Sequence, residues 1–230
     1  MKKILFSFLF FALFFLFVSI TYAQTNISTF YSVTYRISEN GIANISIDVD
    51  LKNNTSDFYA NAYSIQTGFE DITNIKATDL GGELKYSANK NDKGTLISFD
   101  FNEKVVGINK TQKFSLNFNT TEIAKKYGDI WEINIPGVAN QEDYSSFNAA
   151  VLVPQSFGEP NIIKPKVENL KPSQNSLTFS KSDLGRGGIS IAYGEAQIYS
   201  FGLKYHLQNK NLFPTITEIA IPSDNNYQSV

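Results

Sequence analysis

The sequence predicts an all-β protein, an antiparallel β-sandwich that follows an N-terminal signal peptide. Three observations lead there. From Gln24 onward apolar and polar residues alternate with a period of two, which sets successive side chains on opposite faces of a strand. The spacing that would mark an amphipathic helix is nearly absent. Cysteine is absent altogether, so neither a disulfide framework nor a thiolate zinc site can substitute for a hydrophobic core. A mature chain of roughly two hundred residues buries enough apolar surface to stand without cross-links.

The N-terminus comes first in chain order. Lys2 and Lys3 precede a predominantly apolar run from Ile4 to Ile20, and Thr21-Tyr22-Ala23 places small residues where a signal peptidase needs them. Residues 1–23 therefore read as a signal peptide cut after Ala23, with residues 24–230 as the β-sandwich region. The apolar run is slightly longer than a usual cleaved core and lies at the lower limit for a membrane span, so an uncleaved signal anchor is the alternative. No cysteine ends the run, which excludes a lipoprotein anchor there.

In the first strand Tyr31, Val33, Tyr35 and Ile37 share one face. In the second, Ala43, Ile45, Ile47, Val49 and Leu51 alternate with polar residues. Glu39-Asn40-Gly41 between them predicts a hairpin, because Asn-Gly accepts the positive φ angles of a tight turn. Further strands are expected at 60–67, 72–78, 84–87, 95–101, 113–118, 130–135 and 147–154. Gly81-Gly82 and a loop from Asn89 to Gly94 separate some of them. The section through Pro160, Pro165 and Pro172 reads as a surface crossover or ordered loop. Strands resume at 176–179, 188–193 and 197–207, and after a turn at 209–214 one more is expected at 217–221. The only helical hint is at Thr121 to Tyr127, with Thr120 or Thr121 as the cap.

Short strands with one apolar face each bury those faces economically against a second sheet. One large sandwich is the first reading. Two smaller sandwiches, divided near 136–144 where the chain is polar and marked by Gly and Pro, are the alternative. The ending at Ser229-Val230 predicts that this is the N-terminal part of a longer protein.

Composition and motifs then limit the chemistry. Removing the signal leaves 18 basic against 22 acidic residues, and only Arg36 and Arg186 offer guanidinium groups. Such a surface is a poor counterion for phosphate backbones, so nucleic acid is excluded as a partner. With one histidine and no cysteine, a nucleophilic triad could use only His206, which shares the polar face of its expected strand with Lys204 and Gln208. That arrangement reads as surface. Asp48 and Asp50 fall on the solvated side of a hairpin strand, and Glu70-Asp71 and Glu142-Asp143 fall in turns, where solvation or turn capping explains them better than acid–base catalysis.

Asn89, Asn91, Asp92 and Gly94, with Asp100 beyond, outline part of an oxygen-rich calcium loop. The acidic density is too low for a hard-oxygen cage, and a hairpin turn is the better reading. Most strand aromatics share a face with aliphatics, as Trp131 does with Ile133 and Ile135, which marks core. Tyr59 and Tyr63 are left as candidates for an exposed sugar platform. Asn-x-Ser/Thr sequons at Asn26, Asn44, Asn53, Asn54, Asn109 and Asn119 are assigned no function in an Asn-rich chain. Gly185-Arg186-Gly187-Gly188 lacks the P-loop lysine and reads as a tight turn. No catalytic residue, cofactor-binding residue or metal ligand is assigned.

Several segments nevertheless form a pattern: Gly194-Glu195-Ala196-Gln197, the alternating Tyr199, Phe201, Leu203, Tyr205 and Leu207, and Thr217-Glu218-Ile219-Ala220-Ile221-Pro222 with Asp224, Tyr227 and Gln228. With Ile130-Trp131-Glu132-Ile133, Ile135-Pro136 and Val151-Leu152-Val153-Pro154, they resemble the N-terminal β-region of exported bacterial proteins that end in a transglutaminase-like domain. The resemblance implies that a Cys-His-Asp machinery lies beyond Val230 and that the present segment scaffolds it. Where such relatives have Pro-Pro-Asp, this chain has Pro222-Ser223-Asp224. The expectation is thus an extracytoplasmic, non-catalytic accessory module whose partner is a protein or other cell-envelope component. An independent carbohydrate- or protein-binding surface module is the alternative. Contact with the membrane is expected only through an uncleaved signal or an anchor beyond this chain.

Overall fold

The computed structural model describes residues 25–166, 175–184, 187–194 and 202–219. The signal segment and Arg186 lie outside the described residues. The described residues form an all-β fold of fourteen strands and two 3₁₀ turns. In chain order the strands are β1 (Ile27–Ile37), β2 (Ala43–Asn53), β3 (Ala62–Gln66), β4 (Ile72–Asp79), β5 (Gly82–Glu83), β6 (Tyr86–Asn91) and β7 (Gly94–Asp100). They continue as β8 (Thr111–Thr120), β9 (Ala124–Tyr127), β10 (Ile130–Ile135), β11 (Ser146–Leu152), β12 (Pro160–Lys164), β13 (Ser176–Ser180) and β14 (Ile189–Tyr193). A wide sheet has the order β13, β11, β1, β2, β8, β4, β5; a second runs β12, β14, β10, β9; a third runs β3, β7, β6.

The wide sheet is built outward from the first hairpin. Ile37 pairs with Ala43 and Ile27 with Asn53, so alternation places Tyr31, Val33, Tyr35 and Ile37 beside Ala43, Ile45, Ile47, Val49 and Leu51 on one buried face. The connection spans five residues rather than the two of a tight Asn-Gly turn, and only Gly41 takes positive φ, at 82°. Gly41 N–H donates to Ser38 O at 2.9 Å, and the Ser38 hydroxyl donates to Ile42 O at 2.7 Å. A Cβ on Gly41 would sit 3.0 Å from the Trp131 ring, so the turn is also a packing surface for β10. β8 closes the other side of β2, and its Phe114, Leu116 and Phe118 extend the same face. Among the described residues all ladders are antiparallel except one: β11 runs parallel to β1, with Phe30 opposite Ser146 and Arg36 opposite Leu152.

Four expectations are corrected. Residues 124–127 are strand β9 and not a helix: Ile123 and Ala124 are buried, Tyr127 turns back onto Ile130, and Asn134 N–H donates to Ile123 O at 2.8 Å. The expected cap survives in another role, since Thr120 Oγ1 accepts from Glu122 N at 3.2 Å and tightens the bend between β8 and β9. The proline-rich crossover contains strand β12, where Pro160 occupies an edge and a bulge, positions that need no ladder N–H. Strand β6 runs through Asn91, so the loop expected from Asn89 shrinks to Asp92-Lys93. Residues 202–207 and 217–219 hold no strand, and Leu203 and Leu207 are exposed, so alternation alone does not make a strand here. Residues 197–201, 220 and 221 of those two expected strands lie outside the described ones.

The core is one contiguous cluster spanning all three sheets. The third sheet is fixed to the wide one by rings: Phe114 lies 5.1 Å from both Phe99 and Tyr63 and 5.4 Å from Phe101, and Phe69 lies 6.2 Å from Phe118. The second sheet contributes Ile133, Ile135, Ile189, Ile191 and Tyr193, and Trp131 stacks on Phe157 at 4.5 Å. Polar groups inside the core have assigned work or a cost. Asn53, 1% exposed, donates its amide to Val105 O and Gly107 O and so shapes the 105–110 loop. Gln112 lies beside Leu51 on the inner face, and its Oε1 has no hydrogen-bond partner among the described residues.

Two substitutions test this packing by urea denaturation. Phe114→Ala removes the ring shared by the two layers and lowers stability by about 3–5 kcal/mol. Gln112→Met removes an unsatisfied buried carbonyl at nearly constant volume and raises stability by about 1–3 kcal/mol. Equal midpoints for Phe114→Ala and the parent protein, or a lowered midpoint for Gln112→Met, contradict the packing described.

Candidate functional site

The described residues leave part of the inner face of the wide sheet uncovered. Between β3 and the segment 136–144 a cleft of about 540 Å³ opens over Tyr31, Val33 and Tyr35 of β1 and Ile45 and Ile47 of β2. One wall is β3 and its continuation to Phe69; the other is Pro136 to Ala139 with Asp143, Tyr144 and Phe147.

Local sequence explains each wall. β10 ends at Ile135 because Pro136 has no N–H for a ladder. The 136–137 backbone passes Gly188, whose φ is 70° and where a Cβ would lie 2.8 Å from Gly137 N; only glycine allows that approach. Asn140 then caps the 3₁₀ turn Gln141–Asp143, accepting from Glu142 N–H and donating to Asp143 Oδ1 at 2.7 Å. The turn delivers Tyr144 onto Tyr31, edge to face, at 5.0 Å. Lys181 Nζ holds the far side by donating to Tyr144 O at 2.5 Å.

Three tyrosines converge here. The hydroxyls of Tyr31 and Tyr63 are hydrogen-bonded at 2.9 Å, and the Tyr31 ring stacks on Phe147 at 5.7 Å. Burial, reinforced by the neighbouring Tyr63, pushes the Tyr31 hydroxyl far above the ordinary phenol range. Burial also raises Tyr63 and Tyr144, with the Asp143 carboxylate adding to both. The hydroxyls therefore stay neutral at physiological pH and act as hydrogen-bond donors and acceptors on an otherwise apolar surface.

The candidates named from sequence are dispersed. Asp48 accepts from the Ser115 hydroxyl and Asp50 pairs with Lys113 at 2.7 Å, both on the outer face of the wide sheet. Asp71 pairs with exposed Lys90 at 2.7 Å. Asn91 Oδ1 accepts from Lys93 N–H at 2.9 Å, so it shapes the turn, and Asp100 stands at the opposite end of β7, about 20 Å along the strand. His206 is exposed in a segment without strand. Tyr59 is exposed, with Lys104 Nζ 5.8 Å above its ring. Tyr63, left with it as an exposed platform candidate, is instead half-buried and belongs to the cleft. Asn53, a sequon, is buried.

Only Asp143 and Tyr63 of these candidates reach the cleft. Tyr144, Val138 and Lys93 were not singled out, although Pro136-Gly137 followed by Asn140-x-x-Asp143 is a readable stop-and-cap signal.

The tyrosines make stability depend on pH. Burial raises Tyr35 and pushes Tyr193 up to about 12. A tyrosine whose folded value lies above its unfolded value of 10.0 contributes stability that is complete below that pH and is lost as pH climbs toward the folded value. Urea midpoints are expected to be level from pH about 7 to about 9 and to fall above about 10, with the phenolate absorbance of these buried tyrosines appearing together with unfolding. Titration of the Tyr31, Tyr63 and Tyr144 phenols near pH 10 while the protein stays folded contradicts the buried cluster.

Among curated proteins no match to the chain is found. Solved structures with a similar chain path include Saccharomyces cerevisiae leukotriene A4 hydrolase at 12% identity and a TM-score of 0.46, covering 73% of this chain and 29% of that one. An M1 zinc metallopeptidase from Deinococcus radiodurans matches at 8% and 0.44, covering 74% and 43%. An aminopeptidase N family protein from Idiomarina loihiensis matches at 11% and 0.43, covering 75% and 30%. The chain thus spans less than half of each, and no residue or activity is transferred from them. A family profile, by contrast, matches residues 28–209 and is described as the N-terminal domain of a predicted membrane protein, DUF2207. It overturns the resemblance to the N-terminal region of transglutaminase-like proteins, which rested on strand-and-turn patterns that many exported β-domains share. The chain belongs to the DUF2207 family and carries its N-terminal domain.

Proposed function

We propose that this domain is a non-catalytic, extracytoplasmic binding module of a membrane protein, and that it takes a protein component of the cell envelope in the tyrosine-lined cleft. The observation that carries this reading is the cleft itself: an apolar floor, neutral hydroxyls and structured walls over the inner face of the wide sheet. The titration behaviour argues for binding over catalysis. Tyr31, Tyr63 and Tyr144 are raised, exposed Lys90 is raised by its Asp71 partner, and Asp183 is lowered by hydrogen bonds from Ser180. Each shift moves away from neutrality, the opposite of what a general acid or base needs. The Lys2-to-Ala23 segment supports export of the domain.

Polypeptide is favoured over carbohydrate by the ring geometry. A sugar platform needs a free aromatic face, whereas the Tyr31 ring is taken up by Phe147, stacked at 10°, and by the edge contact with Tyr144. A photo-crosslinking amino acid placed at Val138, on the cleft wall, is expected to yield a discrete protein adduct in intact cells. Placed at exposed Lys85 it is expected to yield none. The same adducts from both positions, or none from Val138, would sink the reading.

A further inference from the structure

β3 is an edge strand whose ladder groups on one side have no partner strand among the described residues. Phe101 N–H donates to Asn61 O at 2.9 Å and Thr67 N–H donates to Thr95 O at 3.0 Å. Hydrogen-bonded and non-hydrogen-bonded pairs alternate along an antiparallel ladder, so residues 61, 63, 65 and 67 turn their backbone groups to β7. Ala62, Ser64 and Gln66 therefore turn their N–H and C=O groups to the open side. Ser64 and Gln66 are also cleft-lining residues.

Most other edges carry devices that discourage a further strand. β5 has two residues, β6 carries Lys90, β9 carries Lys125 and Lys126, and β12 begins at Pro160 and is bulged. β3, with the sequence Ala-Tyr-Ser-Ile-Gln, has neither charge, proline nor bulge. β13 shares that lack, but only β3 opens onto the tyrosine cleft.

The geometry points to strand addition: the domain captures an extended segment of a partner protein along the β3 edge, with alternate apolar side chains directed into the cleft. This rests on the cleft being the binding site. Charge sets the orientation. Asp143 stands at the Tyr63 end, where it acts on that hydroxyl, and Lys93 stands at the Gln66 end, where its carbonyl accepts from the Gln66 amide. An antiparallel guest complements these if it begins with an acidic residue, ends with a basic one four residues later and carries an apolar residue midway, since residues at i, i+2 and i+4 of a strand share the face turned to the cleft.

The probe is the capped pentapeptide Glu-Thr-Val-Thr-Lys, whose Glu, Val and Lys share one face, titrated into the protein. Saturable binding is expected, with slowed amide hydrogen exchange at Ala62, Ser64 and Gln66. Ser64→Pro deletes the central edge donor at a position where proline is tolerated, and is expected to weaken binding about tenfold. Should Ser64→Pro fail to fold, Asp143→Asn serves instead and is expected to weaken this probe but not its neutral analogue Thr-Thr-Val-Thr-Thr. Undiminished binding to the folded variant, or unchanged exchange at the three amides, overturns the proposal. So does a concentration-dependent dimer that Ser64→Pro abolishes, since a second copy would then be the occupant. A Val138 adduct that persists while the probe fails leaves the cleft reading standing and removes strand addition alone.

Discussion

The rest of the molecule depends on the pairing of β2 with a neighbour on each side. From Ala43 to Lys52 every residue of β2 faces one residue of β1 and one of β8, so three long strands share one register and one buried face. A slip of one residue in either ladder would turn Ile45, Ile47, Val49 and Leu51 to solvent and Asn44, Ser46, Asp48 and Asp50 inward. Fully burying one such aliphatic side chain is worth about 1.5–3 kcal/mol, and burying an unpaired carboxylate costs more, so the register is strongly determined. On the outer face, Ser115 against Asp48 and Lys113 against Asp50 repeat the same register in polar groups.

The cleft follows from how this wide sheet is covered. Its partner layer consists of two separate small sheets, one held by the Phe99, Phe101 and Phe114 rings and the other contributing Trp131 and Tyr193. A Cβ on Gly68 would lie 3.5 Å from the Pro136 ring, so the two walls approach each other there. Tyr31, Tyr63 and Tyr144 line the opening between the walls. Their rings can lie over aliphatic neighbours while their hydroxyls find one another, which makes a surface that is stable unoccupied and still offers polar groups to a guest.

Much of the fold was legible because burial is encoded as alternation: β1, β2, β8 and β10 are apparent from residue order alone. β9 was not, because Ala124-Lys125-Lys126-Tyr127 presents only one apolar side chain to the core and its strand character comes from pairing with β10. β12 was masked by Pro160, whose usual meaning is a break. The cleft was less legible than the fold. It is defined by where two sheets fail to meet, a property of tertiary geometry, and Tyr31 looks the same in sequence whether its hydroxyl faces a packed wall or an opening. The family assignment shows the opposite weakness of pattern reading, since alternating strands with aromatic residues identified exported β-structure but not which family carries it.

The central claim is that β1, β2 and β8 form the one platform to which everything else is attached. Native-state hydrogen exchange tests it most directly. The account predicts that amides of Tyr31 to Ile37, Ala43 to Leu51 and Phe114 to Phe118 exchange only with global unfolding, while those of β3, β6 and β12 open at lower free energy. Slower exchange in β12 or β6 than in β2 would contradict it.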